Sequence, residues 1–195
     1  LALALAFAGC REAETPPIDY SGPVAGWDHA AGDRGGQRYS PLTQIDRTNV
    51  ARLEEAWRFE SGDVTPTTSL QVTPILVGRR LVFCTPRDQV VAIDAETGAE
   101  AWRFDPKVDL DGVYNPVCRG VAHLALAPDE AGGDASACRS RIFSGTLDAR
   151  LIALDAETGR PCADFGEGGT VDLKHGIGET RPGEYTVTSP PLVVD

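Results

Sequence analysis

Three polar residues with binding chemistry stand at corresponding places along the chain, each at the start of a short β-rich segment. They are Gln71, Arg119 and Thr188, and their segments read QVTP (71–74), RGVA (119–122) and TSPP (188–191). Amide, guanidinium and hydroxyl groups all form hydrogen bonds, and a guanidinium can hold a carboxylate through two parallel ones. These residues could therefore bind a polar ligand, provided that the fold brings the three segments together.

An internal repeat indicates a fold that would do so. The segment VAIDAETG (91–98) returns as IALDAETG (152–159), so that Ala153 follows Ala92 by 61 positions. Each copy predicts a strand, a tight turn and another strand, and repeated four-stranded units of this kind are typical of a β-propeller. Because the first strand of each blade lines the central channel of a propeller, we expect Gln71, Arg119 and Thr188 to point towards one place.

The predicted elements follow from this repeat. The first blade spans about 71–104, with strands at 71–77, 81–84, 90–94 and 101–104, and the second spans about 118–165, with strands near 120–126, 141–145, 151–155 and 161–165. A third blade is predicted to begin at Thr188, and 56–60 is predicted to be the outer strand of another blade. The segment 44–53 predicts one short helix, capped by Asp46 or Thr48. The fold class is therefore all-β.

Several prominent side chains are assigned to this framework rather than to chemistry. Asp94 and Asp155 precede the repeated turns, where a carboxylate accepts hydrogen bonds from backbone N–H groups. Trp102, with Phe165 as its equivalent in the second blade, is expected to pack between blades, and Trp57 is expected to do the same.

Composition excludes two function classes. The formal net charge is −11, whereas binding to nucleic acid phosphates requires a cationic face. No run of 18 apolar residues is present, so no transmembrane helix is predicted.

Because two blades cannot close a ring, and because the chain starts without Met and stops on an apolar β-like run, we expect it to be an N-terminal piece of a larger protein.

The N-terminal segment predicts export. Residues 1–8 have the apolar character of a signal-peptide core, and small residues stand directly before Cys10. This pattern resembles a bacterial lipoprotein signal, in which Cys10 would be lipidated and would tether the protein to a membrane facing the periplasm. The alternative is an ordinary export signal in which Cys10 is incidental. Residues 11–26 are then expected to form a flexible tether, and 27–195 to form the propeller part.

The other four cysteines are interpreted in the same context. Disulfides are permitted in an exported protein. Cys118 and Cys138 would close a loop that contains 128–134, a segment without an apolar anchor, and they are the preferred pair. Cys84 is expected to be buried and inert, and the partner of Cys162 is left open. A metal site is not predicted, since no Cys-x-x-Cys or clustered His accompanies these cysteines.

Six motifs in order identify a resemblance to a known family. They are GGQRYSPL (35–42), QI (44–45), NV (49–50), QVTP (71–74), CRGVA (118–122) and TSPP (188–191). Together they resemble the pyrroloquinoline-quinone (PQQ)-dependent dehydrogenases, and CRGV and TSPP look closest to the membrane-bound glucose dehydrogenase branch. The resemblance covers nearly everything from Trp27 to Asp195.

The resemblance implies a fold and an activity. The fold would be an eight-bladed propeller with PQQ near its axis beside Ca²⁺. The activity would be oxidation of a sugar or alcohol hydroxyl by hydride transfer to the quinone, with electrons passing to a respiratory acceptor, either ubiquinone or a cytochrome c. The rival function from another class is a non-catalytic propeller lipoprotein that acts as an envelope assembly scaffold and uses similar repeats.

Three positions of the family can be carried onto this chain as cofactor-binding residues. Arg119 matches an arginine that contacts PQQ, a tricarboxylate, and its alternative role is a structural salt bridge. Thr188 matches a threonine whose hydroxyl contacts PQQ, and its alternative role is that of a strand residue paired across a turn. Gln71 stands where related enzymes usually carry Glu, so it could donate or accept a hydrogen bond without adding charge.

The chain also departs from the family pattern. Where the alcohol-oxidising branch has adjacent cysteines, this chain has Val113 and Tyr114, which argues against a methanol dehydrogenase type. Asn115 replaces the histidine of the glucose-oxidising branch and leaves sugar specificity open, although it could still lie near the substrate. His123 could approach the cofactor, or it could be a satisfied structural histidine. The resemblance implies that the Ca²⁺ ligands and the catalytic base lie outside this chain.

Overall fold

The computed structural model describes residues 27–32, 36, 38–126 and 138–194. These residues form two four-stranded antiparallel sheets, which we call blade 1 (β1–β4) and blade 2 (β5–β8). The strands are β1 Ile75–Val77, β2 Arg80–Cys84, β3 Val90–Asp94, β4 Glu100–Phe104, β5 Ala122–Ala125, β6 Ser140–Gly145, β7 Arg150–Asp155 and β8 Thr170–Asp172. The predicted all-β propeller fold is confirmed. No helix among the described residues is both long and apolar enough to cross a bilayer.

The repeated turns are fixed by the aspartates that precede them. Asp94 Oδ1 accepts hydrogen bonds from the backbone N–H groups of Glu96 (3.0 Å) and Thr97 (2.9 Å), and from the Thr97 hydroxyl (3.0 Å). The Thr97 N–H bond is the main reason why the pKa of Asp94 lies below its ordinary value. Asp155 caps the equivalent turn through Thr158. The turn-capping role that the sequence predicted for these two aspartates is therefore what the structure shows.

One apolar core lies between the two blades and draws residues from both. Blade 1 and its turns contribute Ile75, Val82, Cys84, Val90, Ala92 and Trp102, and blade 2 with its flanks contributes Cys118, Val121, Ile142, Ile152, Leu154 and Ala156. Successive strand residues point to opposite faces, so the other face of β3 packs with Phe83 against Trp57 and Phe59. Each sheet is therefore apolar on both faces and needs a neighbour on each side.

Two tryptophans join neighbouring parts of the fold in the same way. Trp102 Nε1 of blade 1 donates to the carbonyl oxygen of Ala156 in the turn of blade 2 (3.0 Å), and its ring covers Gly159. Trp57 repeats this arrangement on blade 1, donating to Ala95 O (3.2 Å) and covering Gly98. A Cβ atom would lie 2.5 Å from the Trp102 ring at Gly159 and 2.6 Å from the Trp57 ring at Gly98. The glycine of the repeated motif thus leaves room for a tryptophan.

Phe165 does not take part in such a joint, contrary to its predicted equivalence with Trp102. Its ring packs edge-on against Phe143 with centroids 5.4 Å apart, beside Cys138 and Cys162 of its own blade. The fourth strand of blade 2 was also predicted wrongly at 161–165, and β8 lies at Thr170–Asp172 instead. Pro161 has no N–H for a ladder, and residues 162–169 turn back through hydrogen bonds such as Phe165 N–H to Cys162 O (2.9 Å).

Other local predictions have mixed outcomes. The short helix is present as a 3₁₀ turn at Val50–Arg52. The predicted cap is wrong, because the N-cap residue is Asn49, whereas the Asp46 carboxylate accepts from the Thr48 N–H (2.7 Å) before the turn begins. The segments 56–60 and 188–194 form no strand ladder with any described residue, although both were predicted to be strands. Residues 56–60 instead pack on a face of blade 1 through Trp57 and Phe59, and Thr188 forms a single backbone hydrogen bond with Arg119.

The disulfide pairing differs from the predicted one. Cys84 bonds to Cys118 and Cys138 bonds to Cys162, so the predicted Cys118–Cys138 pair is wrong. Cys84 is buried, as predicted. The reason is geometric: Cys118 lies in the core between the blades, whereas Cys138 lies in a separate cluster with Ala153 and Cys162. Cys10, the tether 11–26 and the loop 128–134 lie outside the described residues.

A buried carboxyl group links the blades at the turn after β2. Asp88 is fully buried, and its Oδ2 accepts a hydrogen bond from the Leu147 N–H in the matching turn of blade 2 (2.6 Å). Its Oδ1 has no hydrogen-bond partner within the described part of the chain. Burial outweighs the hydrogen bond from Leu147 and the charge of Arg150, and it raises the pKa of Asp88 to about 8. Asp88 is therefore protonated at neutral pH in the folded chain.

We predict that Gly159→Ala lowers the free energy of unfolding by about 2–4 kcal/mol, because it combines a left-handed backbone with displacement of the Trp102 ring. Gly78→Ala is the matched control: Gly78 has a φ of +60°, close to the +69° of Gly159, but nothing lies within 4 Å of its Cβ position. Gly78→Ala should lower the free energy of unfolding by only about 1 kcal/mol. Denaturant unfolding of the full-length protein measures both, and equal losses would contradict the tryptophan joint.

We predict that Asp88 makes folding stability depend on pH. Its folded pKa of about 8 exceeds the ordinary value of 3.8, so the folded chain keeps a proton that the unfolded chain loses between these values. The free energy of unfolding should therefore fall as pH rises from about 4 to 8, by at most about 1.4 kcal/mol per pH unit. Asp88→Asn keeps the acceptor for Leu147 and should remove this contribution. Parallel stability–pH curves for the two proteins would refute it.

Candidate functional site

Three chain segments meet at the start of the first strand of blade 2. The backbone N–H of Arg119 donates to Thr188 O (3.0 Å), and the carbonyl of Arg119 accepts from the Thr73 N–H (3.1 Å). The Ser69 N–H donates to Pro116 O (3.4 Å), which adds a further link on the side of blade 1. Residues that are far apart in sequence thus lie side by side, with the Arg119 segment in the middle.

Two of the predicted binding side chains are in direct contact. Arg119 Nη1 donates to Thr188 Oγ1 over 2.6 Å. Among the described residues, no carboxylate lies within ion-pair distance of the Arg119 guanidinium, so the structural salt bridge considered for it is absent there. Arg119 is exposed and Thr188 is partly exposed. The pair therefore presents a cation and a hydroxyl to solvent at one point.

Gln71 reaches this region through its backbone neighbours rather than through its side chain. Its exposed amide donates to Ser69 Oγ (3.3 Å), and it makes no hydrogen bond to Arg119 or Thr188. Thr73, two residues further on, is the residue that bonds to Arg119. The sequence did not single out Thr73, because a backbone N–H leaves no signal in the side-chain pattern.

The two residues proposed for the vicinity of the site have different surroundings. Asn115 is exposed, four positions before Arg119. His123 lies on β5, where its Nε2 is 2.8 Å from Ser140 Oγ of β6, and burial lowers its pKa. It borders a cavity of about 220 Å³ that the Arg119–Thr188 pair does not line. The contact with Ser140 satisfies His123 within its own blade, in keeping with the structural alternative for this residue.

The described residues provide no metal site. The only group of three Cys, His, Asp or Glu donors within reach of one another there is Cys138, Cys162 and Asp164. Both cysteines are joined in a disulfide, so their sulfur atoms are not thiolate ligands. What the site offers is a set of hydrogen-bond donors and one positive charge, which suits a carboxylate.

Comparison with known proteins identifies the family. Residues 27–195 match the family model described as PQQ: glucose/ethanol/alcohol dehydrogenase, beta-propeller domain. The chain is 39% identical to a quinate/shikimate dehydrogenase (quinone) of Acinetobacter baylyi, over 91% of this chain and 24% of that protein. It is 38% identical to a quinoprotein glucose dehydrogenase of Escherichia coli, over 96% of this chain and 25% of that protein.

Solved structures agree with this match. The fold resembles that of a quinohemoprotein alcohol dehydrogenase from Comamonas testosteroni with a TM-score of 0.64 and 30% identity, over 85% of this chain and 21% of that one. The chain thus spans about a quarter of the length of the curated relatives it matches. Two adjoining blades, the repeated tryptophan joints and the family match over 27–195 together show that the chain belongs to the PQQ-dependent glucose, ethanol and alcohol dehydrogenase family.

Proposed function

We propose that the full-length protein is a PQQ-dependent dehydrogenase that oxidises a hydroxyl group of a sugar or another alcohol, and that Arg119, Thr188 and Gln71 contribute to its cofactor site. The observation that carries this proposal is the Arg119–Thr188 contact of 2.6 Å, formed by two residues that are far apart in sequence. The contact places a guanidinium and a hydroxyl side by side at the surface. The family match leads us to expect an acidic cofactor there.

The residues present fit a tricarboxylate. Within the described part of the chain, the Arg119 side chain donates only to a neutral hydroxyl, so its remaining N–H groups can form paired hydrogen bonds to a carboxylate. The Thr188 hydroxyl accepts from Arg119 and keeps its own proton to donate. The Gln71 amide would add a hydrogen bond without changing the charge. When bound, PQQ would supply a two-electron acceptor for hydride, and Ca²⁺ would supply a Lewis acid.

The chain's own residues have a binding and orienting role in this proposal. Arg119 neutralises carboxylate charge and fixes the plane of the ligand, and Thr188 holds the guanidinium in place. We expect the catalytic base and the Ca²⁺ ligands to belong to parts of the protein outside this chain. No feature of the described residues favours the envelope-scaffold alternative.

The substrate class, acceptor and location are proposed from the relatives. The similar proteins are named for quinate or shikimate, glucose and glycerol, all of which carry several hydroxyl groups. Two relatives are named for a quinone acceptor, which favours ubiquinone over a cytochrome c here. We further propose a periplasmic protein anchored through a lipid on Cys10, and the two disulfides of the chain suit that oxidising compartment.

We predict that Arg119→Ala raises the dissociation constant for PQQ about 10- to 100-fold, as expected for the loss of a charge-assisted hydrogen-bonding group. The measurement is a fluorescence titration of the full-length apoprotein with PQQ in the presence of Ca²⁺. Arg160→Ala is the matched control, because Arg160 is also exposed but lies in the turn after β7, at the opposite end of the blade. If the two variants bind PQQ with equal affinity, Arg119 is not part of the cofactor site.

The function itself is tested on the unmodified protein. We expect dye reduction in the presence of PQQ, Ca²⁺ and one of glucose, quinate, glycerol or ethanol. Absence of both PQQ binding and dye reduction with every substrate would contradict the proposal.

A further inference from the structure

We propose that the Cys84–Cys118 disulfide is a positioning device for Arg119, and that close packing of Val187 on Gly145 performs the same task for Thr188. In both cases, the residue directly before a candidate cofactor-binding side chain is docked onto the end of the second strand of the preceding blade. The inference rests on the proposed function, because it concerns the same cofactor site.

The first junction is covalent. Cys84 is the last residue of β2 in blade 1, and Cys118 directly precedes Arg119 at the start of blade 2. Both cysteines are buried, whereas Arg119 is exposed. Residues 116–118 are all buried, and Arg119 is the first exposed residue after them. The disulfide therefore anchors the backbone in the core directly before the residue that carries the guanidinium.

Hydrogen bonds on both sides of Arg119 complete this junction. Its N–H donates to Thr188 O and its carbonyl accepts from the Thr73 N–H, so its backbone is held at both polar groups. Water can compete for these hydrogen bonds because the site is open, whereas water does not compete with the covalent disulfide. Within the described chain, the disulfide is the one covalent cross-link between blade 1 and the Arg119 segment.

The second junction shows that the arrangement is repeated. Gly145 is the last residue of β6, 61 positions after Cys84, and therefore occupies the place of Cys84 in blade 2. Val187 directly precedes Thr188, just as Cys118 precedes Arg119. A Cβ atom on Gly145 would lie 2.3 Å from Val187 Cγ1, and the Val187 N–H donates to Thr146 O (3.1 Å). The same joint is thus made by a bond in one place and by close packing in the next.

The consequence for the site is that neither binding side chain is oriented by its own blade alone. A shift of about 1 Å in a positioned group can cost a large factor in binding or rate. Loosening either junction should therefore weaken cofactor binding, even though Cys84, Cys118, Gly145 and Val187 have no assigned contact with the cofactor. Once PQQ is bound at saturation, the reaction should proceed at nearly the unmodified rate.

The test compares the two disulfides in the full-length protein. The variant Cys84→Ala/Cys118→Ala is matched by Cys138→Ala/Cys162→Ala, which removes the disulfide inside blade 2; the two bonds span 34 and 24 residues. The readouts are the dissociation constant for PQQ by fluorescence titration, the melting temperature, and kcat at saturating PQQ. We expect both variants to melt at lower temperature, but only the first to bind PQQ about tenfold or more weakly, with kcat within about twofold of the unmodified protein.

A second variant tests the packed junction and covers the case in which the first does not fold. Gly145→Ala should also weaken PQQ binding about tenfold, and adding Val187→Ala should recover part of the loss by removing the colliding methyl groups. If PQQ binds equally well to both disulfide variants, or if Gly145→Ala leaves binding unchanged, the inference is overturned while the proposed function stands. If the unmodified protein does not bind PQQ, the proposed function fails and the inference fails with it.

Discussion

The structure depends on one constraint, which is that neither four-stranded sheet can cover its own apolar faces. The core that results belongs to both blades: Val82 and Val90 from one meet Ile142 and Leu154 from the other. Burial of such side chains is the main favourable contribution to folding, so a blade without its neighbour would leave that surface in water. The tryptophan joints set the spacing of this contact, because a ring lies flat on a glycine whose side chain is a single hydrogen atom.

The candidate site follows from that packing. Arg119 belongs to blade 2, Thr188 to the segment that leaves it, and Thr73 to the approach to β1. No single blade contains the arrangement, so the site is present only when the blades are stacked at the right spacing. A binding site made in this way can vary in its side chains while the framework of turns and tryptophans remains, which suits a family whose members act on different hydroxyl compounds.

The sequence predicts blade 1 well and blade 2 in part, for identifiable reasons. In blade 1 the repeat and its turns agree, so the second, third and fourth strands lie within one residue of their predicted bounds. The first strand begins only at Ile75, whereas it was predicted from Gln71. In blade 2 the segment 162–169 is an added turn with its own disulfide and hydrogen bonds, and the periodic pattern does not reveal it. The contact between Arg119 and Thr188 was foreseen because both open equivalent segments.

The cysteine pairs show what sequence reasoning lacked. Spacing along the chain favoured Cys118 with Cys138, but a sheet has two faces, and the bond between Cys84 and Cys118 depends on which face each residue occupies. That information comes from the register of β2 with its neighbours and from the packing of one blade on the next. Likewise, the fit of Val187 against Gly145 is a distance between two blades, and no local pattern in either segment encodes it.

The central claim is that residues brought together by blade packing form a binding site for an acidic redox cofactor. Its most direct test is an experimentally determined structure of the full-length protein with PQQ bound. The account predicts a carboxylate of PQQ within hydrogen-bond distance of the Arg119 guanidinium, with the Thr188 hydroxyl beside it. A bound cofactor remote from both residues, or an Arg119 side chain engaged by a carboxylate of the protein instead, would contradict it.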